Sequence, residues 1–241
     1  MTEITELPFE EIENSCQHWG ISLPHDARSL FQQYTNLLLD WNQRINLTAI
    51  TDPYEIAVKH FIDSLSLLAV YQPAQGASLL DIGSGAGFPS IPLLIVRRDL
   101  QITMLDSLNK RLVFLQTVLQ NLELHAQTIH IRAEEGAKKP VLREQFDVVT
   151  ARAVAALPVL LEYCIPYVNL HGVFIAFKGP DGVQETKIAQ NAAKTLGCEL
   201  SSCNSLILPD NSKRTMLIYK KMVSTPTKFP RIGAKITKSP L

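Results

Sequence analysis

From residue 78 onward, short apolar runs alternate with stretches of helical period, and few arrangements of a chain satisfy that pattern. SLLDI, QITMLD, QTIHIR, FDVVTA and GVFIAFK each fit a buried strand. PSIPLLIVRR, SLNKRLVFLQTVLQNL and AALPVLLEYCIPYV fit helices among the first of them. Parallel neighbours need a crossover long enough to hold a helix, and crossovers are right-handed. The pattern therefore predicts an α/β fold: a doubly wound, mostly parallel sheet with helices on both faces. CELSSCNSLILP and SKRTMLIYKK have no helix between them. They predict an antiparallel pair that completes a seven-stranded sheet.

Ahead of the sheet, FEEIENSCQHWGI and DARSLFQQYTNLLLDWNQ read as helices, the second with Leu30, Tyr34, Leu37, Leu38 and Trp41 on one face. DPYEIAVKHFIDSLSLLAV predicts a third, with Asp52 as N-cap and Pro53 in the first turn. YQPAQGAS follows as a linker. We expect an N-terminal helical extension over residues 1–75, the sheet domain over 76–223 and a tail over 224–241.

With 46% hydrophobic and 19% charged residues, the chain can build an ordinary core. No apolar run is long enough to span a bilayer, and the acidic start MTEITELPFEEIE lacks the basic opening of a signal peptide. A cytoplasmic protein, acting as a monomer and not on a membrane, is expected. Cys16, Cys164, Cys198 and Cys203 form no CxxC unit and have no histidines at zinc spacing, so reduced thiols and no metal are expected.

Lysine plus arginine balance aspartate plus glutamate at 23 each, but unevenly along the chain. Residues 1–26 carry acids and no lysine or arginine. From Lys213 onward stand Lys213, Arg214, Lys220, Lys221, Lys228, Arg231, Lys235 and Lys238 with no acid. Such a segment is either a solvated tail or a contact for a polyanion.

The loop between the first strand and its helix reads DIGSGAGFPS. It lies at the carboxyl edge of the sheet, where doubly wound folds take ligands. Gly83, Gly85 and Gly87 let a ligand approach the backbone. A dinucleotide fingerprint, GxGxxG, requires glycine at position 88, which is Phe88. The GxGxG run behind Asp81 instead suits S-adenosylmethionine, whose sulfonium and amino group call for carboxylate and carbonyl groups rather than a phosphate cradle. Asp106, ending the second strand, is placed for ribose hydroxyls, and Ala133 and Glu134 in IRAEE for the adenine.

The acceptor is less sharply marked. TARAVAAL, after the fourth strand, lacks the Asn/Asp-Pro-Pro-aromatic element of enzymes that methylate exocyclic amines, and no cysteine stands at a strand end for carbon methylation. An acceptor that is already nucleophilic remains, such as guanine N7, which needs alignment rather than a base. Arg152 could bind a phosphate, stack on a base or pair with an acid. Lys178 and His60 are further substrate-side candidates, with Asp63 sharing a helix face with His60.

These motifs together, WNQRINLTAITDP, VKHFIDSL, LLDIGSGAGFPSIPLLI, MLDSLNKR, RAEE, FDVVTARAVAAL and AFKGP, resemble the ribosomal RNA small-subunit methyltransferase G family, also called glucose-inhibited division protein B. The tail FPRIGAKITKSPL resembles the Pro-Arg to Pro-Leu ending found in part of that family, without its Lys-Ala-Gly-Thr-Pro order. The resemblance implies a Rossmann-like class I methyltransferase fold and transfer of a methyl group from S-adenosylmethionine to N7 of a guanine in 16S rRNA. The substrate would be the RNA or the small ribosomal subunit. Carried over by motif position, the cofactor contacts would include Gly83, Phe88, Ala133, Glu134 and Arg152. With an RNA partner implied, the basic tail reads as an RNA contact. A small-molecule methyltransferase, or a non-catalytic RNA-binding module, are the alternatives on the same fold.

Overall fold

A computed structural model describes residues 6–241; residues 1–5 of the acidic start lie outside the described residues. Seven strands form one sheet: β1 Ser78–Ile82, β2 Gln101–Asp106, β3 Gln127–His130, β4 Phe146–Arg152, β5 Val168–Lys178, β6 Cys198–Ile207 and β7 Lys213–Lys221. Their spatial order is β3-β2-β1-β4-β5-β7-β6. Neighbours from β3 through β5 run parallel, and β7 runs antiparallel to both β5 and β6. β1 lies between β2 and β4, so the chain winds outward both ways from it. The switch point opens at the carboxyl ends of β1 and β4.

The central strands β1, β2 and β4 are buried on both faces, which explains their apolar runs, whereas the edge strands β3 and β6 are largely open. Side chains alternate across the sheet, so Leu79 enters one core while Leu80 and Ile82 enter the other. The first core also takes helices Ser90–Val96 and Asn109–Asn121 and the N-terminal helices α1 (Phe9–His18) and α2 (Ala27–Asn42). The second takes helices Leu157–Cys164 and Gln190–Leu196. The N-terminal helices are thus one wall of the main core.

The same parity places the chemistry. Val148 of β4 and Met216 and Ile218 of β7 face the first core. Arg152 and Arg214 follow that register and emerge over the third helical run, residues 53–70. Asp52 caps that run by accepting the Glu55 N–H at 2.9 Å. The run is not one continuous α-helix as expected: after Pro53–Ile56, Ala57–Ile62 winds as a π-helix before Asp63–Leu65 resumes the α form. π-Helical turns are rare and concentrate at functional sites. This one carries Lys59 and His60 and leads directly into Asp63.

Two features run beyond the strand pattern. Between β5 and β6 lie helices Gly182–Ile188 and Gln190–Leu196. Their buried face rests on Ala189, Ala192, Ala193 and Leu196 while Val183 and Ile188 are exposed, so hydropathy scarcely marks them. Gly197 ends the second in the left-handed conformation, φ +83°. The basic tail is also ordered. Phe229 and Ile236 are buried, and Gly233–Lys238 is a short helix. Arg143 donates to the carbonyls of Thr225 and Phe229, both at 2.8 Å.

Candidate functional site

The first cavity, about 310 Å³, opens at the carboxyl ends of β1, β2 and β4. Its walls include Gly83, Asp106, Ala133 and Glu134, which the sequence pattern singled out, with Ser107, Arg111, Val154 and Tyr163. Asp106 Oδ2 accepts the Gly85 N–H at 2.9 Å and Oδ1 the Leu108 N–H at 2.8 Å, tying the glycine loop to the end of β2. Arg111 Nη1 also reaches Oδ2, at 3.4 Å, so Oδ1 is the oxygen that keeps a lone pair for a further donor. Gly83 sits at φ +71°, and a Cβ there would stand 2.9 Å from Val154 Cγ2. A side chain at Gly83 would narrow this mouth. The Ala133 carbonyl accepts from the buried Tyr167 hydroxyl at 2.6 Å, which fixes the wall beside Glu134.

The rest of the glycine loop turns inward. Asp81 is fully buried behind it, accepting from Ser90 Oγ at 2.8 Å and Thr150 Oγ1 at 3.3 Å. Burial pushes its carboxyl up to about 7 against these hydrogen bonds and the Arg152 charge. Gly87 packs where a Cβ would meet Ile91, Leu115 and the Tyr34 hydroxyl at 2.7–2.9 Å. That hydroxyl donates to the Ala86 carbonyl. Phe88 lies beneath the site, its ring stacked on His60 at 4.3 Å with 15° between planes. Thus Asp81, Gly85, Gly87 and Phe88 shape the loop but are not among the residues lining the first cavity.

A second cavity, about 400 Å³, adjoins the first, and Ala153 lines both. Ala153 has φ +56°, a left-handed conformation that an alanine holds only under tertiary constraint. This cavity collects Lys59, His60, Asp63, Arg152, Lys178 and Arg214: four cations and one carboxylate. Asp63 is the hub. Its Oδ2 accepts from Arg152 Nη1 at 2.7 Å and its Oδ1 from Arg214 Nε at 2.8 Å. Arg152 also donates to the Lys59 carbonyl at 3.0 Å and lies over the Phe88 ring at 5.0 Å. His60 Nδ1 stands 3.2 Å from Arg152 Nη2, and its Nε2 stands 2.8 Å from Thr48 Oγ1. Burial, then the Arg152 charge, hold the imidazole down to about 3, so it is neutral. Lys178 pairs with Glu185 at 2.8 Å and donates to the Ala155 carbonyl at 2.9 Å, which anchors the loop after β4.

Arg152 therefore lines the second cavity and not the first, although the resemblance also made it a cofactor contact. Of the three readings drawn from the residues alone, the acid pair is realised while the guanidinium still faces the cavity. The pattern gave no sign of Arg111, Tyr163 or Thr48, and it marked Arg214 as one of a run of cations without placing it here. Arg111 follows the strand-end aspartate in DSLNKR, a position from which a helix start can reach back to Asp106 (Nη1 to Oδ2, 3.4 Å). The tail behaves differently from a free polycation. Arg231 is held by Glu162, itself fully buried, and Lys221 is buried against Glu144. Lys213, Lys220, Lys228, Lys235 and Lys238 remain exposed. Gly233 abuts the first cavity: a Cβ there would lie 2.3 Å from Glu134 Oε1.

Among the described residues no cluster of His, Cys, Asp and Glu suits a metal ion, and no helix is long and apolar enough to cross a membrane. The family model for rRNA small subunit methyltransferase G matches residues 27–215. A ribosomal RNA small subunit methyltransferase G from Clostridium perfringens is 43% identical over 97% of this chain and 98% of its own length. One from Lachnoclostridium phytofermentans is 45% identical over 92% and 93%. Among solved structures, a methyltransferase from Pyrococcus furiosus superposes with TM-score 0.55 over 80% of this chain and 99% of its own, at 16% identity, a likeness of fold alone.

Proposed function

Because this chain belongs to the rRNA small subunit methyltransferase G family, we propose that its adjoining cavities hold S-adenosylmethionine and a guanine of 16S rRNA, and that the methyl group passes to N7. The observation that carries this reading is that two cavities meet at a single residue, Ala153: one sets Asp106 and Glu134 beside Arg111 and Arg132, and the other is rich in cations. The first suits an adenosyl ligand. Asp106 would accept from ribose hydroxyls, Ala133 and Glu134 would meet the adenine edge, and the bare backbone at Gly83 leaves room beside them. When bound, S-adenosylmethionine supplies an electrophilic methyl carbon on a positively charged sulfur.

The chain's own part is then binding, alignment and exclusion of water. Lys59 is paired with Glu55, but Arg152 and Arg214 share the single Asp63 carboxylate, and that surplus gives the second cavity the sign needed for a phosphate backbone. N7 carries a free lone pair, so no side chain has to remove a proton. The neutral His60, whose Nδ1 faces Arg152, is consistent with that. So are the thiols: burial pushes Cys16 and Cys198 up to about 12 and Cys164 up as well, leaving these three unsuited to nucleophilic carbon methylation. Asp81 serves the loop from behind by holding Ser90 and Thr150.

The test uses small ribosomal subunits and naked 16S rRNA from cells lacking this enzyme, with methyl-labelled S-adenosylmethionine. Label at one guanine, released by chemistry selective for N7-methylated guanine, is expected. Label on an exocyclic amine, or on small metabolites alone, would overturn the acceptor assignment. Loss of donor binding in Gly85→Asp, which adds a carboxylate beside Asp106, is expected alongside; unchanged donor affinity would overturn the assignment of the first cavity.

A further inference from the structure

We propose that Thr48 and His60 are positioning residues for Arg152, which they hold toward the acceptor through one fixed tautomer of the imidazole. The proposal rests on the reading of the second cavity as the acceptor site.

The argument follows from hydrogen-bond inventory. A guanidinium only donates, so His60 Nδ1, 3.2 Å from Arg152 Nη2, must present its lone pair. A neutral imidazole carries one N–H, which is therefore on Nε2, and Thr48 Oγ1 at 2.8 Å accepts it. That hydroxyl oxygen is itself fixed. It accepts the Ile50 N–H at 3.0 Å, while Asn42 accepts from the backbone N–H groups of Leu47 and Thr48 and donates to the Thr48 carbonyl at 2.9 Å. One imidazole face is closed by the Phe88 ring. The ring can neither rotate nor exchange its proton position without leaving a donor unpaired.

Arg152 is consequently anchored at three points: Asp63, the Lys59 carbonyl and His60. The first two bind one terminal nitrogen and leave the plane free to swing about it. The His60 contact holds the other nitrogen and so sets the direction of the plane. Replacing Thr48 by valine removes the acceptor for Nε2–H. The proton then moves to Nδ1, where it opposes the Arg152 N–H, or stays on Nε2 unpaired. Either outcome frees the guanidinium without touching the first cavity.

Single-turnover methylation of unmodified small subunits tests this, with donor affinity measured separately and the His60 ring followed by nitrogen NMR. Thr48→Val is expected to slow methylation about tenfold, the scale of one hydrogen bond to a charged group, with donor affinity unchanged. Thr48→Ser restores the rate, and the NMR signature of an Nε2–H tautomer is present in the wild type and lost or broadened in Thr48→Val. In an Arg152→Ala background, Thr48→Val adds no further slowing, because its effect passes through the arginine. If Thr48→Val fails to fold, Thr48→Ala removes the same acceptor with less bulk. Equal rates for the valine and serine variants, or multiplying effects of Thr48→Val and Arg152→Ala, would overturn the positioning role alone. Full activity of Arg152→Ala would overturn the acceptor reading beneath it.

Discussion

Replacing Asp81 by asparagine should alter how stability depends on pH more than it alters stability itself. Burial in the folded protein holds the Asp81 carboxyl up to about 7, from an ordinary 3.8. The folded state therefore binds this proton more tightly than the unfolded chain. Its contribution is fully present below about pH 4, falls as pH rises, and is lost above about pH 7. Three pH units correspond to about 4 kcal/mol. His60 acts with opposite sign: held down to about 3 from 6.5, its contribution is present above pH 6.5 and lost as pH falls toward 3. The two windows overlap and their slopes nearly cancel in the wild type. Asparagine keeps the shape and an acceptor for Ser90 but cannot titrate, so it leaves the His60 slope uncompensated. Urea unfolding of both proteins from pH 4 to pH 8 measures this as a difference of differences. The variant should gain about 4 kcal/mol on wild type between the ends. A gap between the two proteins that does not change with pH would refute the reasoning.

The glycines of the same loop should separate cleanly. Gly87→Ala forces a Cβ against Ile91 and Leu115 at φ +96°, and should cost about 2–4 kcal/mol in urea unfolding. Gly85→Ala meets nothing closer than 3.8 Å at φ +57° and should cost about 1 kcal/mol; equal costs would refute the packing argument. Glu162→Gln leaves Arg231 without its buried carboxylate, and about 3 kcal/mol of stability should go with it. Trypsin cleavage after Arg231 reads the release of the tail, and unchanged cleavage would show that the pair does not hold it.

Much of this was legible in the sequence, and the reasons are local. SLLDI and QITMLD coincide with β1 and β2 because each is an apolar run bounded by polar residues and buried on both faces. Asp106, Ala133 and Glu134 were legible because strand ends at the switch point must meet there. Helices Gly182–Ile188 and Gln190–Leu196 were not, since alanines bury their inner faces and leave no hydrophobic stripe. Nor was the Arg152–Asp63 pair, which joins residues 89 apart in the chain. Charge counting failed at the tail for a similar reason. It registers Arg214, Lys221 and Arg231 as free cations, whereas folding sets Asp63, Glu144 and Glu162 against them.

The strand order β5-β7-β6 bears on how the protein is made. β6 leaves the ribosome before β7, yet only β7 joins it to the sheet. Until β7 emerges, β6 has no backbone partner, and β5 shows an open edge to the crowded surroundings of a growing chain. Arg214 rides on that same late strand, so Asp63 waits beside Arg152 with one of its two carboxylate oxygens still without its guanidinium donor. The parallel half of the sheet can assemble as the chain is synthesised, but the cationic cavity closes only when β7 slides between its two neighbours.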